Sequence, residues 1–294
     1  MSMPPSTLPR SAHLVHVRAP RTGRGDAVLR ERLARLGSRH DAAWCRAALL
    51  ALVVNGHSRH ERAAWFAAVG DLADAHQLLE DVLALTHAHW LPRFEHLARA
   101  LAPGPVELRH GVIDAARRIM TADGMVSPMD QLRWVALRHL MAGSAVSPPG
   151  PASTELERLD AAQAREACRF SAFLSQMVPA PELTLDLTGH GSISQLWYDT
   201  VTARWQDVPG GMPSRESGHD VDTMLKALRA LQALSWLQRP VLVRSWFDVA
   251  RVLTEGPGLH ESAADALRLS CVLLDSPVPP ELAHQYIEVE PAHP

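Results

Sequence analysis

Apolar residues recur every three or four positions through almost the whole chain after Asp26, and this spacing constrains the fold more than any other feature of the sequence. A repeat of about 3.6 residues places such side chains on one face of an α-helix. Residues typical of strands are scarce, because the 294-residue chain holds only two tyrosines and five phenylalanines. Apolar residues make up 47% of the chain, enough for a substantial core. We therefore predict an all-α protein.

Breaks in this pattern mark the ends of the expected helices. Stretches such as NGHS, LAPGP and DGMVSP separate seven helices, near residues 26–36, 41–54, 60–70, 72–88, 91–101, 106–120 and 128–141. A long helix at 154–177 is expected next, followed by VPAPELTLDLTGHGSIS, where a short extended piece could fit, and by the loop DVPGGMPSRESG. Three more helices are expected near 219–236, 240–254 and 261–275.

One connector, AGSAVSPPGPAS, divides the chain, because it is rich in proline, glycine and serine. We predict a helical module on each side of it, and together the two modules would form a helical array. The expected segments are a flexible N-terminal tail (1–25), a first module (26–142), a linker (143–153), a second module (154–287) and a C-terminal tail (288–294).

The two predicted modules share an internal repeat. IDAAR in the first module returns as FDVAR in the second, and a glycine follows the arginine by seven positions in both copies, at Gly124 and Gly258. A Leu-Arg pair comes next, at residues 132–133 and 267–268. We interpret this pattern as a duplicated helix-turn-helix unit.

The stretch TADGMVSPMD, which joins the helices of the first copy, allows a metal-binding interpretation. As part of an EF-hand loop it would offer Asp123 and Asp130 as calcium ligands. Ile119 and Thr121 then occupy the first and third ligand positions, where oxygen donors with negative charge are needed. These two aspartates are therefore weak metal candidates.

A structural turn is the interpretation that we prefer for the same stretch. Gly124 can adopt a positive φ after the first helix, and Ser127 is placed to cap the next helix with Pro128 as its first residue. Asp130 can then bond back to the amide of the cap. The second copy keeps Gly258 for the same role.

The second copy lacks an acid at the turn, because Pro257 stands where the first copy has Asp123. We expect Ser262 to cap the helix that follows Gly258. A shared mechanical role explains both copies, whereas a metal site would explain only one.

Catalytic motifs are incomplete in this sequence. HERAA lacks the second histidine of the HExxH zinc motif, since Ala64 stands in its place, and we interpret Glu61 as part of a polar, solvated helix start. No P-loop, GxGxxG or nucleophile elbow is present. The remaining place for an enzyme site is the loop with Asp186 and His190, together with Asp199. We predict a protein that is not an enzyme and carries no cofactor.

The net charge and the positions of the cysteines limit which partners and which cellular compartment we expect. The net charge of -3, from 29 basic and 32 acidic residues, gives no reason to expect nucleic acid. Cys45, Cys168 and Cys271 lie far apart in apolar helical patterns, as expected of buried thiols in a reducing compartment. No signal-peptide run opens the sequence, and the longest apolar stretch, AALLALVV, is too short for a bilayer. We expect a cytoplasmic protein without direct membrane insertion.

Three stretches carry a family resemblance: LPRFEHLARAL, RHGVIDAARRIMTADGMVSPMDQLRWVALRHLM and the ending ADALRLSCVLLDSPVPPEL. Residues 41–285 resemble, in order, the cytoplasmic C-terminal region of bacterial HtpX-like membrane zinc metalloproteases. The helix-DG-helix unit is also similar to tellurite-resistance TerB-like domains. The membrane helices and the HExxH protease domain of the family have no counterpart in this sequence, so no catalytic residue carries over.

The resemblance implies a bacterial, non-proteolytic relative of the soluble tail of a protease. We expect a protein-protein interaction module or adaptor in membrane-protein quality control or stress response. Its partner would be another protein, membrane-associated in that setting, and self-association into a homo-oligomer is a further expectation. The alternative is a divalent-metal-binding TerB-like module that uses Asp123 and Asp130, a role suspected for the acids of TerB-like turns.

Overall fold

A computed structural model describes residues 24–38, 41–142, 153–180, 192–209, 211–218, 220–254 and 258–289. All regular secondary structure in these ranges is helical, which confirms the predicted all-α class. The chain divides into two compact units, residues 1–38 and 39–294. The described part of the first unit is one helix, α1 (Arg24–Ser38), in which Arg35 and Glu31 form an ion pair at 2.9 Å.

The second unit begins with six helices close to their predicted positions. They are α2 (Ala42–Ala51), α3 (Arg59–Val69), α4 (Ala75–Leu83), α5 (His87–Leu101), α6 (Val106–Met120) and α7 (Pro128–Ala142). The helix predicted at 72–88 is shorter, because Asp74 adopts a left-handed φ of 61° immediately before α4 and a turn separates α4 from α5. The helix predicted from residue 91 begins at His87.

This early start of α5 places Pro92 inside the helix. Proline has no amide hydrogen, so the carbonyl of Ala88, four residues earlier, receives no bond from it. The amide of Ile287 donates to that carbonyl at 2.9 Å. The C-terminal segment therefore satisfies a backbone acceptor that the proline leaves open.

Six further α-helices follow in the second half of the chain. They are α8 (Ala161–Leu174), α9 (Ile193–Thr202), α10 (Val221–Gln232), α11 (Gln238–Leu253), α12 (Glu261–Leu273) and α13 (Pro280–Ala283). The prediction of one long helix over 154–177 is wrong, because a 3-10 turn at Leu156–Arg158 precedes α8. Asp160 then caps α8, accepting from the amides of Ala162 and Gln163 at 2.8 Å.

Helix α9 was not expected from the sequence. Ser192 caps it by accepting from the amide of Ser194 at 3.2 Å. The stretch in which an extended piece could fit lies mostly at residues 181–191, outside the described residues.

Helices from both predicted modules belong to the second unit. Helix α7 packs against α12, α5 packs against α2 and α7, and α8 packs against α9 and α10. Most of the predicted N-terminal tail and linker lies outside the described residues, and the module boundaries stay a prediction. Across the described ranges, no helix has both the length and the hydropathy needed to cross a bilayer.

The core of the second unit is rich in aromatic side chains whose polar atoms are bonded. Four fully buried indoles donate at 2.9–3.1 Å, Trp65 to Ala47, Trp197 to Trp246, Trp205 to Leu156 and Trp246 to Ser171. These bonds remove the penalty of burying an N–H group without an acceptor. Trp236 differs from these buried tryptophans, since 63% of it is exposed.

The three cysteines are free and buried, as predicted. Burial raises the pKa of all three thiols, and the pKa of Cys168 and of Cys271 rises to about 12. A thiol with such a pKa stays protonated at neutral pH and is a poor nucleophile.

Candidate functional site

The turn between α6 and α7 has the backbone geometry that the structural interpretation requires. Gly124 has a φ of 78°, in the left-handed region that favours glycine, and its amide donates to the carbonyl of Thr121 at 3.1 Å. The carboxylate of Asp123 accepts from the amide of Met125 at 3.0 Å. Asp123 thus holds the turn itself.

Ser127 and Asp130 cap α7 reciprocally. The amide of Asp130 donates to Ser127 Oγ at 3.1 Å, and the amide of Ser127 donates to Asp130 Oδ2 at 3.1 Å. The Ser127 hydroxyl also donates to Asp130 Oδ2, at 2.6 Å. Pro128 is the first residue of α7, where its missing amide hydrogen is not needed. The carboxylate of Asp130 is therefore committed to starting the helix.

Glu61, near the start of α3, is buried, with only 5% of its surface exposed, so its interpretation as part of a solvated helix start is wrong. Ser58 caps α3 by accepting from the amide of Glu61 at 3.2 Å. The Glu61 carboxylate in turn accepts from the amide of Asn55 at 2.6 Å. This bond turns the side chain inward.

Glu61 joins the acids of the α6–α7 turn. Its pKa is raised to about 7, mainly by burial and in part by the nearby charges of Asp123 and Asp130, against the lowering effect of the bond from Asn55. The bond from the Met125 amide lowers the pKa of Asp123, and its contacts with the side chains of Ser58 and Glu61 act in the same direction. The turn is thus the meeting point of three carboxyl groups, one of which gains a proton near neutral pH.

No pattern in the sequence indicated this meeting of Glu61 and Asp123. Ser58 and Glu61 have the spacing of a helix cap, but that spacing does not show that the carboxyl faces a turn much later in the chain. The contact depends on how α3 packs against α6.

The metal interpretation does not gain a ligand set from this cluster. Within the described ranges, no three or more histidine, cysteine, aspartate or glutamate side chains are arranged to hold a metal ion. Asp123 Oδ1 and Asp130 Oδ2 both accept backbone amides, which competes with metal coordination. The site is built mainly to hold the turn.

Arg133, one turn after Asp130, connects α7 to α12 and α5. Its guanidinium lies 3.7 Å from a carboxylate oxygen of Asp265 in α12 and 4.2 Å from the centre of the Trp90 ring in α5. Asp265 also contacts His87 Nε2 at 2.8 Å and accepts from the Tyr286 hydroxyl at 2.9 Å. Burial opposes the charge on His87, but the bond to Asp265 and that carboxylate's charge raise its pKa overall.

Arg268 occupies the sequence position in the second copy that corresponds to Arg133 in the first. It donates to Glu95 at 2.7 Å and to Glu288 at 2.7 Å, and its guanidinium lies 4.6 Å from the centre of the Tyr286 ring. The two arginines end a common Asp-x-Leu-Arg pattern, DQLR at 130–133 and DALR at 265–268. Each copy therefore places an arginine against an aromatic ring.

The second turn differs from its prediction at the helix cap. His260 caps α12, with its ring Nδ1 accepting from the amide of Ser262 at 3.3 Å, so Ser262 is inside the helix and is not the cap. Gly258 has no positive φ, whereas Gly124 has one. Residues 255–257 of this turn, including Pro257, lie outside the described residues.

Helices α6 and α7 form one wall of an open groove, and α10 forms the other. The groove consists of two adjoining cavities of about 520 and 370 Å³, which share Trp134 and Val135 as lining residues. We call it the α7 groove. Its smaller cavity lies beside the turn and is lined by Met120, Val126 and Val221.

Trp134 stands where the two cavities of the α7 groove meet. Its indole nitrogen has no hydrogen-bond partner in the described part of the chain, unlike the four indoles of the core. The guanidinium of Arg138 lies 4.7 Å from the centre of its ring. The groove therefore has an aromatic centre with a cation on one side.

The charged lining of the α7 groove is mostly basic. It consists of four arginines and two aspartates, which are Arg109, Arg117, Arg138, Arg229, Asp114 and Asp130. Among the described residues, no carboxylate forms an ion pair with any of these arginines. Arg109 donates instead to the carbonyl of Met141 at 2.8 Å. No local pattern in the sequence indicates this groove, because its walls come from helices far apart in the chain.

The enzyme interpretation around His190 stays a prediction. His190 and Asp186 lie outside the described residues. Asp199, its third member, is exposed on α9 and accepts from Gln195 at 2.7 Å.

Comparison with known proteins gives no match for this chain among protein-family models, curated proteins or solved structures. The resemblance to the HtpX-like tail and to TerB-like domains therefore remains an expectation from the sequence.

Proposed function

We propose that this chain is a non-catalytic protein-protein interaction module, acting as an adaptor, and that it binds its partner in the α7 groove. The observation that carries the proposal is an open groove with an apolar end and a tryptophan at its centre. Two apolar side chains beside this end are exposed, Met125 at 76% and Val126 at 44%. Apolar surface next to a concave aromatic site is typical of a protein-binding surface.

The arginines in the lining of the groove also favour binding over catalysis. Arginine keeps its proton at all physiological pH values, so it holds anions and does not transfer protons. Arg109, Arg138 and Arg229 surround the larger cavity. Groups of this kind position a ligand without changing it.

The wider role follows from the resemblance to a protease tail. On that basis we place the adaptor in the bacterial cytoplasm, in membrane-protein quality control or stress response, with a membrane-associated protein as its partner. Self-association through the same groove is the competing use of this surface.

A photo-crosslinking experiment tests the proposal. A photoreactive amino acid replaces Val126, which borders the groove, or Asp207, an exposed control residue outside it. After irradiation in the host cell, we expect a discrete crosslinked product with a second protein from position 126 and none from position 207. A product with twice the mass of the chain would instead show self-association. Equal, diffuse products from both positions would contradict the proposal.

A divalent-metal-binding module at the α6–α7 turn is the second candidate. The observation in its favour is the meeting of Glu61 with Asp123 and Asp130, whose like charges a cation would neutralise. Calorimetric titration with calcium and with magnesium at pH 8, where Glu61 is ionised, tests it. Heat that disappears in Asp123→Asn would support the metal site, and no heat at millimolar ion would remove it.

A further inference from the structure

We propose that the partner enters the α7 groove with an acidic peptide segment that also carries a large apolar side chain. This inference rests on the proposed function and names the chemistry of the partner. The apolar side chain packs beside Trp134, and the carboxylates face the arginines of the larger cavity.

Charge complementarity selects an acidic occupant. Elsewhere in the molecule arginines meet carboxylates, as in Arg62 with Glu80 at 2.7 Å and Arg244 with Glu281 at 2.7 Å. The four arginines of the α7 groove have no such partner in the described part of the chain, although acidic residues outnumber basic ones in the sequence. A concave site with an excess of basic groups, here four arginines against two aspartates, attracts an anionic ligand and repels a cationic one.

The undescribed segment that follows α7 does not supply this negative charge. Residues 143–152, GSAVSPPGPA, contain no aspartate or glutamate. That segment thus offers no counter-charge for Arg109 and Arg138, which line the groove near the end of α7, and our proposal assigns this role to a carboxylate from another molecule.

The shape of the groove sets the size of the segment. Its lining extends along α7 from Asp130 to Ala142, a length of about 18 Å at 1.5 Å per residue. A helix of about twelve residues, or an extended strand of about five or six, spans that distance. The apolar side chain belongs at the end beside Val126 and Trp134, and the acidic ones belong at the end beside Arg138.

Fluorescence anisotropy with labelled peptides tests this chemistry on the full chain. Three twelve-residue peptides are compared, one with glutamate and leucine, one with lysine in place of every glutamate, and one with serine in place of every leucine. We expect binding of the first peptide only, with an affinity that falls as salt is raised. Equal binding of the lysine peptide, or no binding of the first peptide, would overturn the inference. Equal binding of the serine peptide would also overturn it, because a simple anion site would then suffice.

Charge-reversal variants locate the binding. Arg138→Glu and Arg229→Glu should each weaken binding of the first peptide by about tenfold, as expected when an attractive charge becomes repulsive. Arg251→Glu is the matched control, since Arg251 is an exposed helical arginine outside the groove. Circular dichroism checks that all three variants are folded. Loss of binding in the control alone, or in none of the three, would contradict the proposed site.

The two experiments separate this inference from the function on which it rests. If position 126 crosslinks to a second protein but no acidic peptide binds, the groove is a protein-binding site of another chemistry, and only the inference fails. If position 126 gives no specific product, the proposed function fails as well.

Discussion

The two helix-turn-helix copies share a sequence pattern but hold their turns in different ways. The first turn has Gly124 at a positive φ and a reciprocal cap between Ser127 and Asp130. The second has Gly258 without a positive φ and a cap from the ring of His260. Among the described residues, the first turn is the one that gathers acids, because Glu61 of α3 packs beside it.

The arginines of the two copies differ in burial. Arg268 is 2% exposed and makes close bonds with two glutamates, whereas 24% of the Arg133 side chain is exposed and its nearest carboxylate oxygens lie at 3.7 and 3.9 Å. Asp265, in the same motif as Arg268, contacts Arg133 of the first copy and His87 of α5. The second copy therefore serves the packing of the unit, while the first copy leaves its α7 face open as a groove.

Of the comparisons between the two copies, replacing Arg268 or Arg133 should give the largest difference in the free energy of unfolding. Arg268→Met leaves the buried Glu95 with only the more exposed Arg99 as a nearby cation among the described residues, at 3.1 Å, and we expect the free energy of unfolding to fall by about 3 kcal/mol. Arg133→Met removes longer, partly solvated contacts and should cost about 1 kcal/mol. Urea denaturation at one pH measures both. Equal losses would show that the two arginines have the same structural role.

The first turn should make stability depend on pH through Glu61. Its pKa is about 7 in the folded chain against an ordinary value of 4.5, so at a pH between these values the folded state holds a proton that the unfolded state has lost. Between about pH 4.5 and 7 this group should lower the free energy of unfolding by up to about 3 kcal/mol, with no further loss above pH 7. Glu61→Gln should lack this decrease. Urea denaturation of the unsubstituted chain and of Glu61→Gln over that pH range measures this difference. Parallel curves of unfolding free energy against pH would refute a role for Glu61.

The two glycines should respond differently to alanine. Gly124→Ala puts a side chain on left-handed backbone and should lower the free energy of unfolding by about 1–2 kcal/mol. Gly258→Ala should be close to neutral, because its Cβ would lie 3.7 Å from Gln285, an ordinary contact. Thermal unfolding followed by circular dichroism compares them. A greater loss at Gly258 would reverse our assignment of the strained turn.

The smallest expected difference concerns the caps. Ser127→Ala removes the side-chain oxygen that accepts from Asp130 and should cost about 1 kcal/mol. Ser262→Ala leaves the His260 cap in place and should cost less than about 0.5 kcal/mol. Chemical denaturation of the two variants provides the test. A clear loss of stability in Ser262→Ala alone would mean that Ser262 caps α12, as the sequence predicted.

Local signals in the sequence predicted the first copy well. Helix α6 has the bounds that were predicted, because proline and glycine mark its start and the Asp-Gly turn marks its end. The cap of α7 was predicted for the same reason, since its partners lie three residues apart. Short-range hydrogen bonds leave short-range patterns.

Prediction from the sequence failed where the structure depends on packing between residues far apart in the chain. Glu61 is buried because α3 packs against α6, and the α7 groove exists because α10 lies opposite α7. Neither contact has a local pattern in the residues that make it. The cap by His260 was missed for another reason, because histidine is not among the usual capping residues.

Pro92 limits where this chain can be shortened. The carbonyl of Ala88 depends on the amide of Ile287, so a chain that stops before Ile287 leaves an acceptor unsatisfied inside α5. The same truncation removes Glu288 from Arg268. The last described residues are thus a structural part of helices far earlier in the sequence, and any shorter version of the protein intended for study has to retain them.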